Sequence, residues 1–284
     1  VNHYRRFVTK LARLVRSAAR YSTGGIRSRL QSRKHPNAPT ALIFSPHPDD
    51  ECIVGGLALR LSREAKWNIL NIAVTLGSNR SRRKARLYEL KGACNYLGFG
   101  LSVAGGLGLE DIHPATRRSD PRSWARSVKT IADILKRNRP KVILLPCRRD
   151  GHRTHVGTHY LVLDVLRRMP SRFECFVVET ESWGQVSTPN LLVELCEEDL
   201  VHLLTALSFH VGEVKRNPYH LHLPARMIDA VRRAETIGGM GTPAPDFMFA
   251  TIYRLRRWKE GRLVSVLKHG KFLSTTENPA SLFA

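Results

Sequence analysis

His47, Asp49, Asp50 and Glu51 stand together in SPHPDDE, directly after the apolar run TALIFS (residues 40–45). A second cluster, PCRRDGHRTH, brings Asp150, His152 and His155 directly after KVILLP (residues 141–146). In open α/β sheets, ligands gather beyond the carboxyl ends of the strands. Two histidines and a carboxylate, with one coordination position left for water, make a typical catalytic zinc site. Carboxylates packed together repel one another unless a cation sits among them. A divalent metal would therefore explain why a chain of net charge +22 collects acids at this point. Such an ion lowers the pKa of its water from about 15.7 to about 7. A second carboxylate that does not coordinate can then act as general base. Adjacent aspartates can divide these roles, because neighbouring residues leave the backbone in different directions.

The elements that must position these residues follow from residue 40 onward. Strand character recurs at residues 40–45, 68–75, 101–106, 141–146 and 174–180. Helical spacing fills the gaps at residues 51–64, 82–97, 122–138 and 155–168. This rhythm predicts an α/β fold, a Rossmann-like, mostly parallel sheet with helices on both faces. Beyond residue 190 the pattern is less regular: LLVELC, helices near 198–208 and 224–235, and a late strand at 247–255. The glycines of VGGL (54–57) and GGLGLED (105–111) do not make the phosphate-binding GxGxxG of a nucleotide-cofactor enzyme.

Composition bounds the rest. The 284 residues suffice for one large domain or two small ones. No run of eighteen apolar residues predicts a transmembrane helix. Five widely spaced cysteines without a CxxC argue against a disulfide framework or a cysteine zinc site, and for a reducing compartment, the cytoplasm. Residues 1–40 carry ten Lys or Arg and no acid, so residues 41–284 still hold +12. A field of this sign attracts nucleic acid, acidic membrane or phosphorylated substrates. Aromatic residues are only 7% and are not interleaved with the arginines, so nucleic acid is not the expected partner.

A basic extension, residues 1–38, is set apart from a body at 39–284. Within it Phe7, Leu11, Leu14, Val15 and Ala18 fall at helical spacing among arginines. Four readings stay open: an amphipathic helix on an anionic membrane surface, a targeting segment, a terminal helix packed on the body, or a solvated arm. STGG and HPNAPT read as the linker. The run SNRSRRKAR (78–86) is either a solvated helix start or a border of the site.

PHPDDE followed by DGHRTH resembles the LmbE-like, or PIG-L-type, N-acetylglucosaminyl deacetylases over roughly residues 40–255. RLYELKGACNYLG (86–98) and LGLED (107–111) echo the same family. The resemblance implies Zn2+, or another divalent metal, held by His47, Asp50 and His155. It implies Asp49 as the base that takes a proton from water. His152 would steady the developing oxyanion or protonate the leaving amine, and Asp150 would orient a neighbour, His152 first of all. Arg86 and Asp111 would hold sugar hydroxyls of an N-acetylated amino-sugar substrate, with an anionic or lipid-linked aglycone. The family often has HPDH where this chain has HRTH, so Thr154 replaces a carboxylate that would steer His152. Glu51 is expected to support the loop or the helix N-terminus. His159 is expected to line its helix without binding metal, and His202, His210, His220 and His222 to be structural or exposed. The sequence leaves a homo-oligomer open.

Overall fold

The five strands expected between residues 40 and 180 all form, and they run parallel. The computed structural model describes residues 2–21, 23–24 and 35–284. The strands are β1 (Thr40–Ser45), β2 (Asn68–Ala73), β3 (Gly100–Val103), β4 (Val142–Pro146) and β5 (Cys175–Thr180). β1 pairs with β2 and β4, β2 with β3, and β4 with β5, giving the order β3-β2-β1-β4-β5. The chain thus steps outward from β1 to β3, then returns to lay β4 on the other edge of β1. That reversal is a topological switch point, where a crevice opens beyond the strand ends. The two histidine motifs follow the two strands that flank it.

Helices cover both faces. α1 (His3–Ala18) precedes the sheet. On one face lie the short α2 (Asp50–Ile53), α3 (Gly56–Arg63) and α4 (Arg83–Leu97), later joined by α8 (Glu197–Leu207). The other face carries α6 (Pro121–Asn138) and α7 (Arg153–Leu166), with the short α5 (Pro114–Ser119) leading in. Ala41 and Ile43 point into the first layer, and Leu42 and Phe44 into the second. A strand buried on both faces has no polar side, so these runs are continuous rather than alternating.

Three details differ from the sequence reading. The single helix expected at 51–64 is two, broken at Val54–Gly55. A Cβ on Gly55 would fall on the Glu51 carbonyl, so the chain closes there more tightly than any other residue allows. The late strand is longer than 247–255: β7 (Phe249–Lys259) turns through Glu260 and Gly261, both at positive φ (49° and 75°), into β8 (Arg262–Ser265). Paired positive φ values belong to the two-residue hairpin turn that fits strand twist. β7 also inserts antiparallel between β5 and β6 (Leu191–Leu195), and β9 (Lys271–Leu273) completes that edge. Between β6 and β7 come α9 (Val211–Arg216), α10 (Tyr219–Arg232) and α11 (Glu235–Gly238). The helix expected at 224–235 starts five residues earlier, and this places Tyr219 beside the site.

Among the described residues, no helix is long and apolar enough to cross a membrane. All five cysteines are free thiols. The STGG half of the expected linker and the cations Arg27, Arg29, Arg33 and Lys34 lie wholly or partly outside the described residues.

Candidate metal centre

The loop after β1 is closed by its own acid: the backbone N–H of His47 donates to Asp50 Oδ2 at 2.9 Å. Between them Asp49 sits at φ 123°, ψ −27°, a conformation that L residues rarely adopt. Such strain persists only where the surroundings impose it. Here the Asp49 N–H donates to Glu51 Oε2 at 3.0 Å, and His210 Nε2 donates to Glu51 Oε1 at 2.7 Å. From the other side Arg86 donates to the Pro48 carbonyl at 3.0 Å. Held this way, the adjacent aspartates are both buried and both line the pocket, and among the described residues the Asp49 side chain makes no helix-capping hydrogen bond.

Asp50 meets two imidazoles. His47 Nδ1 lies 3.6 Å from Asp50 Oδ2, and His155 Nε2 lies 3.4 Å from the same oxygen. The two ring nitrogens are 3.2 Å apart. Tetrahedral zinc with ligand distances of about 2.0–2.2 Å has donor–donor edges of about 3.3–3.6 Å. The three atoms therefore fit one face of such a polyhedron. Asp150 Oδ2 lies 3.3 Å from His155 Nδ1, and the charge of the carboxylate favours the ring proton on that nitrogen, which leaves Nε2 to the cluster. The donor set suits a divalent cation.

Asp150 thus departs from its expected partner. Its carboxylate reaches the ring of His155, while His152 receives it only through a backbone N–H, at 2.8 Å. Asp150 Oδ2 also accepts the Trp183 N–H at 3.1 Å, so one carboxylate ties together the loops after β4 and β5.

His152 caps α7, its Nδ1 accepting the backbone N–H of Thr154 at 3.2 Å. The neutral ring then carries its proton on Nε2. The rings of His47, His152 and His155 offer nitrogens within 4.8 Å of one another. With Nδ1 engaged and Nε2 protonated, His152 is built to donate rather than to coordinate. The orienting group where the family often has a carboxylate is here a peptide N–H.

Electrostatics separates the two aspartates. Burial, then the charge of Asp50, pushes Asp49 well above the usual carboxylate range, and Arg86 only partly opposes this. Burial would raise Asp50 too, but His155 and His47 outweigh it and hold its carboxyl well below that range. Neighbouring carboxyls whose pKa values are driven apart take different roles. Burial, aided by His47 and His155, lowers His152 to about 4. Burial lowers His155 as well, yet Asp50 and Asp150 overcome it and raise the imidazole above its ordinary value.

The cluster floors a cavity of about 670 Å³. Arg80, Arg83 and Arg86 line one wall, so the basic run borders the mouth. Arg80 and Arg83 both pair with Glu110, at 2.9 and 2.5 Å, and tie down the LGLED loop. Asp111, at φ 53°, lines the same loop with an exposed carboxylate. A Cβ on Gly157 of α7 would strike the Ile112 carbonyl, so glycine lets that loop pack against the helix bearing His155. His159 turns away and donates through Nδ1 to the Pro146 carbonyl at 2.9 Å. His202 contacts Tyr96 and Glu198.

Sequence reasoning missed four further residues that line the cavity: Trp183, Glu213, Arg216 and Tyr219. Trp183 had a signal, because it follows β5 as the motifs follow β1 and β4. Glu213 had none. It is buried and joins Arg216 of its own helix to Arg82 at 2.8 Å and Arg86 at 3.7 Å, which come from a segment far earlier in the chain.

Fold and site together define the class: a Rossmann-like α/β protein whose candidate metal centre lies at the switch point of its sheet. The sequence narrows this further: residues 42–166, a little under half of the chain, match PIG-L, described as GlcNAc-PI de-N-acetylase, and this segment carries both histidine motifs of the PIG-L/LmbE-like deacetylases. No curated protein matches the chain. Among solved structures it is similar to the conserved protein TT1542 from Thermus thermophilus, at 16% identity and TM-score 0.58, over 76% of this chain and 94% of that one. GalB, the 4-carboxy-2-hydroxymuconate hydratase of Pseudomonas putida, gives 16% and 0.57, over 76% and 95%. The N,N'-diacetylchitobiose deacetylase of Pyrococcus horikoshii gives 15% and 0.55, over 90% and 93%. At these identities the likeness is one of fold.

Proposed function

We propose that the protein is a metal-dependent hydrolase that removes the acetyl group from an N-acetylglucosamine-type amino sugar. The observation that carries this reading is the division between adjacent aspartates. Asp50 is locked into a triangle with His47 and His155, while Asp49 lines the cavity and makes no helix-capping hydrogen bond. The family match over residues 42–166 supports the same chemistry.

A divalent ion held by His47, Asp50 and His155 would acidify a water and polarise the acetamide carbonyl. Asp49 accepts a proton from the attacking water as its oxygen bonds to the carbonyl carbon. The raised pKa of Asp49 suits it to hold that proton and then pass it on. His152 donates from Nε2 to the carbonyl oxygen as negative charge develops there. A donor so placed is worth about 3–4 kcal/mol in the transition state. When the C–N bond breaks, Asp49 returns its proton to the amine, and acetate and the free amino sugar leave. Arg86 on α4 and Asp111 in the LGLED loop both line the cavity and are assigned to sugar hydroxyls. Trp183, 55% exposed with its ring 6.4 Å from Tyr219, offers a flat apolar surface for a pyranose.

The same fold carries a hydratase in GalB, so architecture alone does not choose the reaction. Acetate release across a panel of N-acetylglucosamine conjugates tests the proposal. Metal-loaded protein should release acetate from at least one, and metal-stripped protein from none. Hydration of an unsaturated acid, with no acetate from any conjugate, would reject it.

A further inference from the structure

α1 leaves an apolar face open to solvent. Tyr4, Phe7, Val8, Leu11, Leu14 and Val15 are between 46% and 82% exposed, and no residue of the helix is buried. At about 100° per residue these six side chains share one arc of about 120°. Arg5, Arg6, Lys10, Arg13 and Arg16 occupy the rest of the circumference, with no acid among them. At about 1.5 Å per residue the helix is about 24 Å long, enough to lie along a surface. Its carboxyl end is tied to the body: His220 Nε2 donates to the Ala18 carbonyl at 3.1 Å, and the Gly24 N–H donates to the Ser208 carbonyl at 2.8 Å. His220 follows Tyr219, which lines the cavity.

We propose that α1 docks the protein in the plane of an anionic lipid bilayer. The apolar arc would enter the acyl boundary while the flanking cations meet acidic headgroups, the arrangement that holds interfacial helices. Charge selects this occupant. Pairing α1 with a second copy would bring ten cations together with no acid on either helix to offset them. Lys and Arg near an anionic leaflet each add to binding, and salt screens them. This inference does not depend on the reaction assigned to the cavity.

Flotation of the full chain with vesicles tests it. Vesicles of phosphatidylcholine containing phosphatidylglycerol should carry the protein at least about tenfold more tightly than phosphatidylcholine alone. Added salt should weaken the binding. L11E/L14E should lose at least about tenfold in affinity for the anionic vesicles. Because both positions are exposed, its melting temperature should match the parent's. R6E/R13E, which leaves the apolar arc intact, should lose the preference for anionic vesicles. Unchanged binding of L11E/L14E would overturn the proposal and assign the attraction to the basic body. So would no vesicle binding together with self-association, or capture of an acidic protein, that L11E/L14E abolishes.

Discussion

Glu51 and His210, 159 residues apart in the chain, meet at 2.7 Å with both side chains fully buried. The other Glu51 oxygen receives the N–H of Asp49, whose backbone is strained. This pair therefore fixes Asp49, the base of the proposed reaction, without touching the cavity. It is a positioning device, and it behaves as one in the first prediction.

His210→Ala leaves the Glu51 carboxylate without its buried partner, which costs about 1–3 kcal/mol and more for a charged group. Thermal unfolding should show that loss. Turnover should fall by about 10–100-fold with metal content unchanged, the usual effect of removing an outer partner. His210→Gln keeps a donor near the same place and should recover most of both. Normal turnover in His210→Ala would show that the Asp49 conformation needs no such support.

Metal affinity should rise with pH. His155 is raised above its ordinary value, and its Nε2 must be free of a proton to coordinate. Below that raised pKa, affinity should climb about tenfold per pH unit, with about one proton released per ion bound. Calorimetry in buffers of different ionisation enthalpy reads this directly. Affinity independent of pH between 6 and 8, approximately the range over which histidine titrates, would contradict it.

Away from the site, Asp164 clamps α5 and α6 to α7. It accepts Arg117 at 2.7 and 2.8 Å and the Trp124 indole at 2.9 Å. Burial would raise this carboxyl, but these partners outweigh it and lower it. A lowered folded pKa gives stability that is fully present above the unfolded value of about 3.9 and is lost as pH falls through the folded one. Asp164→Asn should therefore melt earlier than the parent at pH 7, and the gap should close below about pH 4. A gap that persists in acid would assign the effect to packing instead.

Trp183→Ala removes the flat wall of the cavity. KM should rise by about 3–10-fold, matching about 0.5–1.5 kcal/mol for an aromatic contact, with kcat nearly unchanged. A large drop in kcat with KM unchanged would move Trp183 from binding to chemistry.

What was legible in the sequence was local. TALIFS and KVILLP are buried on both faces, so their apolar runs mark strands without ambiguity, and the motifs follow their ends directly. The order of the strands then did the rest, by placing β1 and β4 side by side. What was not legible came from distance. β7 enters between β5 and β6 because of pairing partners spread over more than seventy residues. Glu213, Arg216 and Tyr219 reach the cavity from helices whose own sequence carries no chemical signature. Asp150 was given the nearer neighbour, His152. In three dimensions the start of α7 turns His155 toward it instead. Thr154 looked like a weakened partner through its side chain, yet the contact it makes is through its peptide N–H, which every residue except proline has.

The most direct test is the zinc-to-protein ratio measured alongside acetate release in the parent, Asp49→Asn and His155→Ala. The parent should hold one ion per chain. Asp49→Asn should hold the same ion while turnover falls by about 10²–10⁴-fold, the range for losing a general base. His155→Ala should lose both ion and turnover. A parent that binds no divalent metal after reconstitution, or a His155→Ala variant that keeps its ion and its activity, would contradict a centre built on His47, Asp50 and His155.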